Sequence, residues 1–99
     1  MISLAIKPES IQIKQIKTTQ TDLTLEFLDG RVLSVPLAWY PRLLHGTIHE
    51  REVFELLDDG KMIHWPLLDE DLTVVGILSG LKSGESQASL QQWLDSRAI

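Results

Sequence analysis

The stretch "LTLEFLDGRVLSVP", Leu23 to Pro36, decides the fold class. Leu23, Leu25 and Phe27 alternate with Thr24 and Glu26, the period of a strand with one dry face. Leu33 and Val35 form the apolar set on the far side of Asp29-Gly30. The turn between them follows from register. A two-residue turn at Asp29-Gly30 would set Glu26 opposite Leu33 and Thr24 opposite Val35, mixing polar and apolar residues on both faces. A three-residue loop, Leu28-Asp29-Gly30 with Gly30 at positive φ, instead pairs Leu25 with Leu33 and Leu23 with Val35. One face is then dry, so the longer loop is expected. Pro36 has no N–H for a ladder and ends the strand.

Upstream, "IQIKQIK" (Ile11–Lys17) partly alternates and reads as a first strand, with "TTQTD" as turn material. Downstream the pattern becomes helical. Pro41 suits the first position of a helix "PRLLH", and Gly46 its left-handed end. Thr47 and Glu50 form a capping box that opens a second helix, expected to run to about Leu57 and to stop at "DDG". "KMIHW", bounded by Gly60 and Pro66, reads as a fourth strand. Asp71 is the expected N-cap of "LTVVGILSG", with Val74, Val75, Leu78 and Leu81 on its apolar face and Gly80 as its stop. "KSGESQ" (Lys82–Gln87) resembles a linker, and a last helix from roughly Ser86 to Ser96 gathers Leu90, Trp93 and Leu94. The order is βββααβαα. The expectation is an α+β fold in which short helices pack on a small, mostly antiparallel sheet of about four strands.

Composition narrows the function classes. At 99 residues the chain is expected to form one domain, 1–99, with a single modest core. It has no cysteine, which excludes disulfides, thiolate chemistry and cysteine-bound zinc or iron. Stability must come from packing, and a homo-oligomeric interface is one way to extend it. "MISLAIKPES" does not read as a secretory signal, and no apolar run has a membrane-spanning length, so a cytoplasmic protein without membrane association is expected. The net charge of −5, with nine scattered basic residues, argues against nucleic-acid binding by this chain alone. It is compatible with a basic protein partner.

The densest chemistry lies in "HWPLLDEDLT", His64 to Thr73. Asp69, Asp71 and Thr73 spell D-x-D-x-T, which resembles the nucleophile motif of haloacid-dehalogenase-like phosphatases. Too little sequence follows it here to build the doubly wound sheet that motif requires. A calcium loop would need further oxygen ligands that do not follow, and no metal or other cofactor is expected. His45 and His49 have the four-residue spacing of paired metal ligands, but Gly46 and Thr47 break the helix between them. His64 lacks a nucleophile partner, so no catalytic residue is assigned and the chain is read as a non-enzyme. The runner-up is a ligand-binding domain or metal-assisted hydrolase using His64 with Asp69 and Asp71. Trp39-Tyr40 and Trp65 each precede a proline, which holds them extended and fixes where their rings point. Core packing is expected for at least two of the three tryptophans.

Taken together, "VPLAWYPRLLHGTIHER" (Val35–Arg51) and "IHWPLLDEDLTVVGILSG" (Ile63–Gly80) resemble a small bacterial family catalogued as domain of unknown function 2442. Its pattern closes a strand pair with F-x-D-G, continues P-L-x-x-Y/F-P-R-L-x-x-A-T-x-x-E-R, and then G-x-x-x-H/R-W-P-x-L-D-E-D-I/L-x-V-x-x-L-L. The residues that carry the match include Phe27, Gly30, Tyr40, Pro41, Arg42, Arg51, His64, Trp65, Asp69, Glu70 and Asp71, over about 11–81. The resemblance implies a small α+β domain with no established activity. It also implies, for many members, a neighbouring short gene in an arrangement like a toxin–antitoxin pair. Some members carry a C-terminal helix-turn-helix, for which residues 82–99 are too short, so transcriptional regulation by this chain is a third reading. Gly46 stands where alanine is usual.

The expected role is therefore a non-catalytic module that binds a small protein, as the antitoxin-like half of a pair. The expected surface comprises Tyr40, Arg42, Arg51, His64, Trp65, Asp69 and Glu70. Arg42 or Arg51 is expected to pair bidentately with Asp69 or Asp71, fixing the acidic loop against the helices.

Overall fold

The computed structural model describes residues 11–97. It opens with β1 (Ile13–Thr18), β2 (Asp22–Phe27) and β3 (Val32–Pro36), which form an antiparallel sheet in that order. Leu25 pairs with Leu33 and Leu23 with Val35, the register that the three-residue loop requires. Gly30 has φ of 93°, and the Phe27 N–H donates to the Arg31 carbonyl at 2.9 Å. Leu23, Leu25, Phe27 and Val35 are buried on one face. On the other, Thr24 and Ser34 share a hydroxyl hydrogen bond of 2.8 Å. The imperfect alternation of β1 has a cause in the backbone. A register shift between Ile13 and Gln15 acts as a bulge and turns both Ile13 and Ile16 inward, three residues apart.

A 3-10 turn (Leu37–Trp39) leads into α1 (Pro41–His45) and α2 (Ile48–Glu52). Pro41 opens α1 as expected, and the Thr47–Glu50 capping box is complete, with bonds of 3.1 and 2.8 Å. Gly46 is a correction. Its φ is −70°, so it is extended rather than left-handed. Its lack of a side chain serves packing, because a Cβ there would stand 2.9 Å from the Leu68 methyls.

The largest departure follows. α2 stops at Glu52, and Glu55–Leu57 forms β4, which pairs with β5 (Met62–Trp65) and through it with β6 (Glu70–Thr73). The domain therefore carries two three-stranded antiparallel sheets rather than one sheet of about four strands; the α+β class stands. "VFELL" fits both periods: Phe54 and Leu56 also alternate with exposed Glu55 and Leu57. Pairing with β5 selects the strand. The turn between them puts Asp58, Asp59 and Gly60 all at positive φ, and Ile13 N–H donates to the Gly60 carbonyl at 2.8 Å. That bond ties the second sheet to β1.

Asp71 is a second correction. It lies within β6 opposite His64, and Thr73 caps α3 (Val74–Leu78) by accepting from the Gly76 N–H at 2.9 Å. Asp69, at φ 51°, lets the chain reverse at 66–69 and return as a strand. α3 buries Val74 and Ile77, while Val75 and Leu81 are exposed, so its inner face is narrower than expected. Gly80, at φ 77°, ends it as expected.

One core joins the elements. Leu23 and Leu25 from the first sheet meet Leu37, Tyr40 and Leu43 from the middle and Ile63, Trp65, Leu68 and Val74 from the second sheet. The last helix, α4 (Gln87–Arg97), buries no residue; Leu90, Trp93 and Leu94 are only half-covered. No helix among the described residues is long and apolar enough to cross a membrane.

Candidate functional site: an acidic cleft closed by an arginine clamp

Between β6 and the extended segment 81–85 lies a cleft of about 500 Å³. Tyr40 and Arg42 contribute to its lining, Asp69, Glu70 and Asp71 form one side, and Glu85 lies on the other. Helix α1 presents Arg42 to it, because Pro41 fixes the first turn and Leu43 anchors the helix in the core.

Arg42 is the hub. Its Nε donates to both Glu85 oxygens at 3.0 and 3.1 Å, and Nη2 donates to Oε2 at 2.6 Å. Nη1 reaches the carbonyls of Leu68 at 3.3 Å and Asp69 at 3.5 Å. The bidentate partner is therefore Glu85, not Asp69 or Asp71. The Asp69 carboxylate stands 3.7 Å away and is 89% exposed, whereas Arg42 and Glu85 are 16% and 12% exposed. Hydrogen bonds from Arg42 hold the Glu85 carboxyl below its ordinary range, with Ser89 Oγ adding a bond of 2.7 Å. The Arg42 guanidinium also lies 5.0 Å over the Trp93 ring, which receives Arg97 at 4.5 Å.

Arg97 grips Glu50 through bonds of 2.8 and 2.6 Å. With the Thr47 N–H also donating to it, the Glu50 carboxyl is lowered to about 2, chiefly by Arg97. Two charge-assisted forks and an indole contacted by both arginines thus hold the segment from Glu85 through α4 against α1 and α2. Arg51 does something else: its Nη1 donates to the carbonyls of Leu43 at 3.0 Å and Gly46 at 2.7 Å, satisfying the end of α1. Its buried Nε has no partner among the described residues.

Glu70 differs from the other acids. It is half-buried, on the face of β6 shared with Leu72, and makes no ion pair among the described residues; its carboxylate faces the neighbouring Asp71 N–H. Burial pushes its carboxyl up, partly offset by the Asp71 N–H and by Arg42. Burial and the nearby Glu70 charge in turn raise the Tyr40 phenol, whose hydroxyl donates to the Leu81 carbonyl at 3.3 Å.

The other expected residues divide between core and surface. Trp65 is fully buried and its indole N–H donates to the Arg51 carbonyl at 3.1 Å, so it offers no surface to a partner. Tyr40 is 1% exposed and supports the cleft from beneath. His64 Nδ1 contacts the Asp71 carboxylate on the half-exposed outer face of the second sheet. Asp69 faces Arg42 and does not join that pair. Among the described residues no three His, Asp or Glu side chains gather as metal ligands. Sequence places Trp93 with Leu90 and Leu94 on the last helix but gives it no role in the site; Glu85 is missed because Lys82–Gln87 reads as a linker, and Arg97 carries no local signal.

No curated protein matches the chain. A crystal structure of a protein of unknown function from Rhodospirillum rubrum ATCC 11170 shares the fold, with a TM-score of 0.65 at 18% identity, covering 82% of this chain and 98% of that one. The model of the family described as "Protein of unknown function (DUF2442)" matches residues 13–83, which span both sheets, Arg42 and the Asp69–Asp71 acids but not Glu85 or α4. The chain belongs to that family.

Proposed function

We propose that the chain is a non-catalytic protein-interaction module that receives a basic partner at the acidic cleft. The observation that carries this reading is Glu70: a half-buried carboxylate without an ion-pair partner, on the wall of a cleft flanked by Asp69 and Asp71. A buried acid with a raised pKa is stabilised by whatever brings a cation to it. The net charge of −5 favours encounter with a basic partner and not with nucleic acid. The gene arrangement implied by the family resemblance makes the small neighbouring product the first candidate, with this chain in the antitoxin-like role inside a bacterial cytoplasm.

Co-expression with that product tests the reading. The partner should co-purify with the parent chain and be lost with Glu70→Gln combined with Asp69→Asn, while the melting curve stays in place. Absence of co-purification, or equal recovery with the variant, would count against it.

A second reading, hydrolysis, draws on the His64–Asp71 contact. It predicts magnesium-dependent hydrolysis of p-nitrophenyl phosphate that disappears on His64→Gln.

A further inference from the structure

We propose that the free edge of β6 accepts an extended, lysine- or arginine-bearing segment of a partner protein as a fourth strand of the second sheet. This rests on the reading of the cleft as an acidic partner site and adds the way the partner is held.

Ladder geometry identifies the groups available. The Val74 N–H donates to the Lys61 carbonyl at 2.9 Å, which makes 61/74 a hydrogen-bonded pair. In an antiparallel ladder such pairs alternate with non-bonded ones. The register then makes 63/72 and 65/70 bonded and leaves His64/Asp71 and Met62/Thr73 non-bonded. Asp71 and Thr73 therefore turn their backbone groups away from β5. The Thr73 carbonyl starts α3, so the edge offers the Asp71 carbonyl and the Thr73 N–H, together with the Asp71 N–H, which faces the Glu70 carboxylate and would exchange that contact for a partner carbonyl. None has a backbone partner outside the ladder among the described residues.

This edge runs along the cleft, whose far wall is held in place. The Leu81 N–H donates to the Gly76 carbonyl at 3.0 Å and the Ser83 N–H to the Trp39 carbonyl at 2.9 Å. These bonds hold the wall at 81–83, and Arg42 joins Glu85 to the Leu68 and Asp69 carbonyls at one end of the cleft, so the slot lies along Asp71 to Thr73.

The other edges are blunted by familiar devices. β1 has a bulge, two exposed lysines (Lys14 and Lys17) and a bond to Gly60; β3 ends in Pro36; β4 is three residues long. β6 has no proline, lysine or bulge. It carries acids on both faces, Glu70 toward the core side and Asp71 toward solvent. Pairing with a second copy of itself would set Asp69, Glu70 and Asp71 against the same acids, which like-charge repulsion disfavours. A strand bearing basic side chains meets a carboxylate whichever face they occupy. Edge addition of this kind draws affinity from main-chain bonds and selectivity from alternate side chains.

The test uses a capped octapeptide alternating lysine and threonine, its glutamate counterpart, and a lysine form methylated at each central amide. Binding is read by fluorescence anisotropy, and amide exchange at Asp71 and Thr73 by NMR. The lysine peptide should bind, the glutamate and methylated forms should bind at least about tenfold more weakly, and both amides should become protected. Asp71→Pro, which removes an outward N–H that an edge strand can lose, should bind more weakly than Asp71→Ala.

Equal binding of the methylated peptide without amide protection overturns edge pairing. The acidic-cleft reading then survives if Glu70→Gln still weakens the complex. Amide protection with affinity indifferent to Glu70→Gln and Asp69→Asn overturns the cleft reading and the basic selectivity, leaving an edge that pairs without regard to charge. No binding of any peptide at about 1 mM overturns the edge proposal, and co-purification then judges the cleft alone.

Discussion

Replacing Glu85 with Gln should release α4 from the domain. Glu85 and Arg42 are 12% and 16% exposed, and three N–H···O contacts of 2.6 to 3.1 Å join them. The amide keeps one acceptor oxygen and turns its own N–H groups toward the guanidinium, so charge assistance and one arm of the fork are lost together. Fully exposed pairs contribute about 0–1 kcal/mol, and removing one partner of a fully buried pair costs about 3–5 kcal/mol. This pair lies between those limits, which sets the expected cost at about 2 kcal/mol. Because α4 buries no residue, the loss has two routes. If α4 unfolds with the rest, the melting temperature falls by about 8–15 °C for a domain of this size. If α4 detaches first, its open population rises about 30-fold while the melt moves little. Thermal circular dichroism reads the first route, and amide exchange over 87–97 with quenching of Trp93 reads the second. Ser89→Ala, which removes a single 2.7 Å hydroxyl bond to the Glu85 carboxylate and leaves the ion pair intact, should have the smaller effect. A Glu85→Gln protein with an unchanged melt and unchanged exchange in α4 would refute the clamp.

Acid should undo the same clamp. Glu50, lowered to about 2, and Glu85, also lowered, bind protons more readily in the unfolded chain, so their stabilisation is complete above about pH 4.5 and is lost as pH falls toward 2. Trp93 exposure, followed by quenching, should rise across that window; exposure constant to pH 2 would contradict the assignment. Thr73→Ala should cost about 1 kcal/mol through loss of the α3 cap, whereas Asp71→Asn, which leaves that cap intact and alters only an exposed contact with His64, should cost less than Thr73→Ala in urea titration. Gly60→Ala should cost at least about 1–2 kcal/mol in the same assay. The position has φ of 76°, and a Cβ would stand 3.0 Å from the Ile13 carbonyl oxygen, a backbone atom that cannot swing aside.

Local sequence settled much of what depends on near neighbours, though not the backbone of Gly46, which is extended where a left-handed end was expected. The β2–β3 register was legible because a one-residue slip moves every apolar side chain to the wrong face. The Thr47–Glu50 box was legible because its partners lie three residues apart, and α3's stop at Gly80 because glycine tolerates positive φ. Core packing could be expected of the tryptophans because so few large apolar side chains compete for it, and Trp65 is the one that is fully buried, not a partner surface. The acids of "HWPLLDEDLT" were marked as the region of interest, and Asp69 and Glu70 line the cleft.

What sequence could not decide was every choice between two locally adequate states. "VFELL" satisfies helix and strand periods alike, and only pairing with Met62–Trp65 makes Glu55–Leu57 a strand. Asp71 and Thr73 are both good caps; the hairpin that brings Asp71 opposite His64 leaves the role to Thr73. The partner of Arg42 was beyond reach altogether. Its charge can be met by any of several acids, and Glu85 wins through being brought into a half-dry site 43 residues away in sequence, where a carboxylate and a guanidinium satisfy each other better than water satisfies either. Periodicity describes what one segment wants, whereas ion pairs and sheet edges depend on which segments the core brings together.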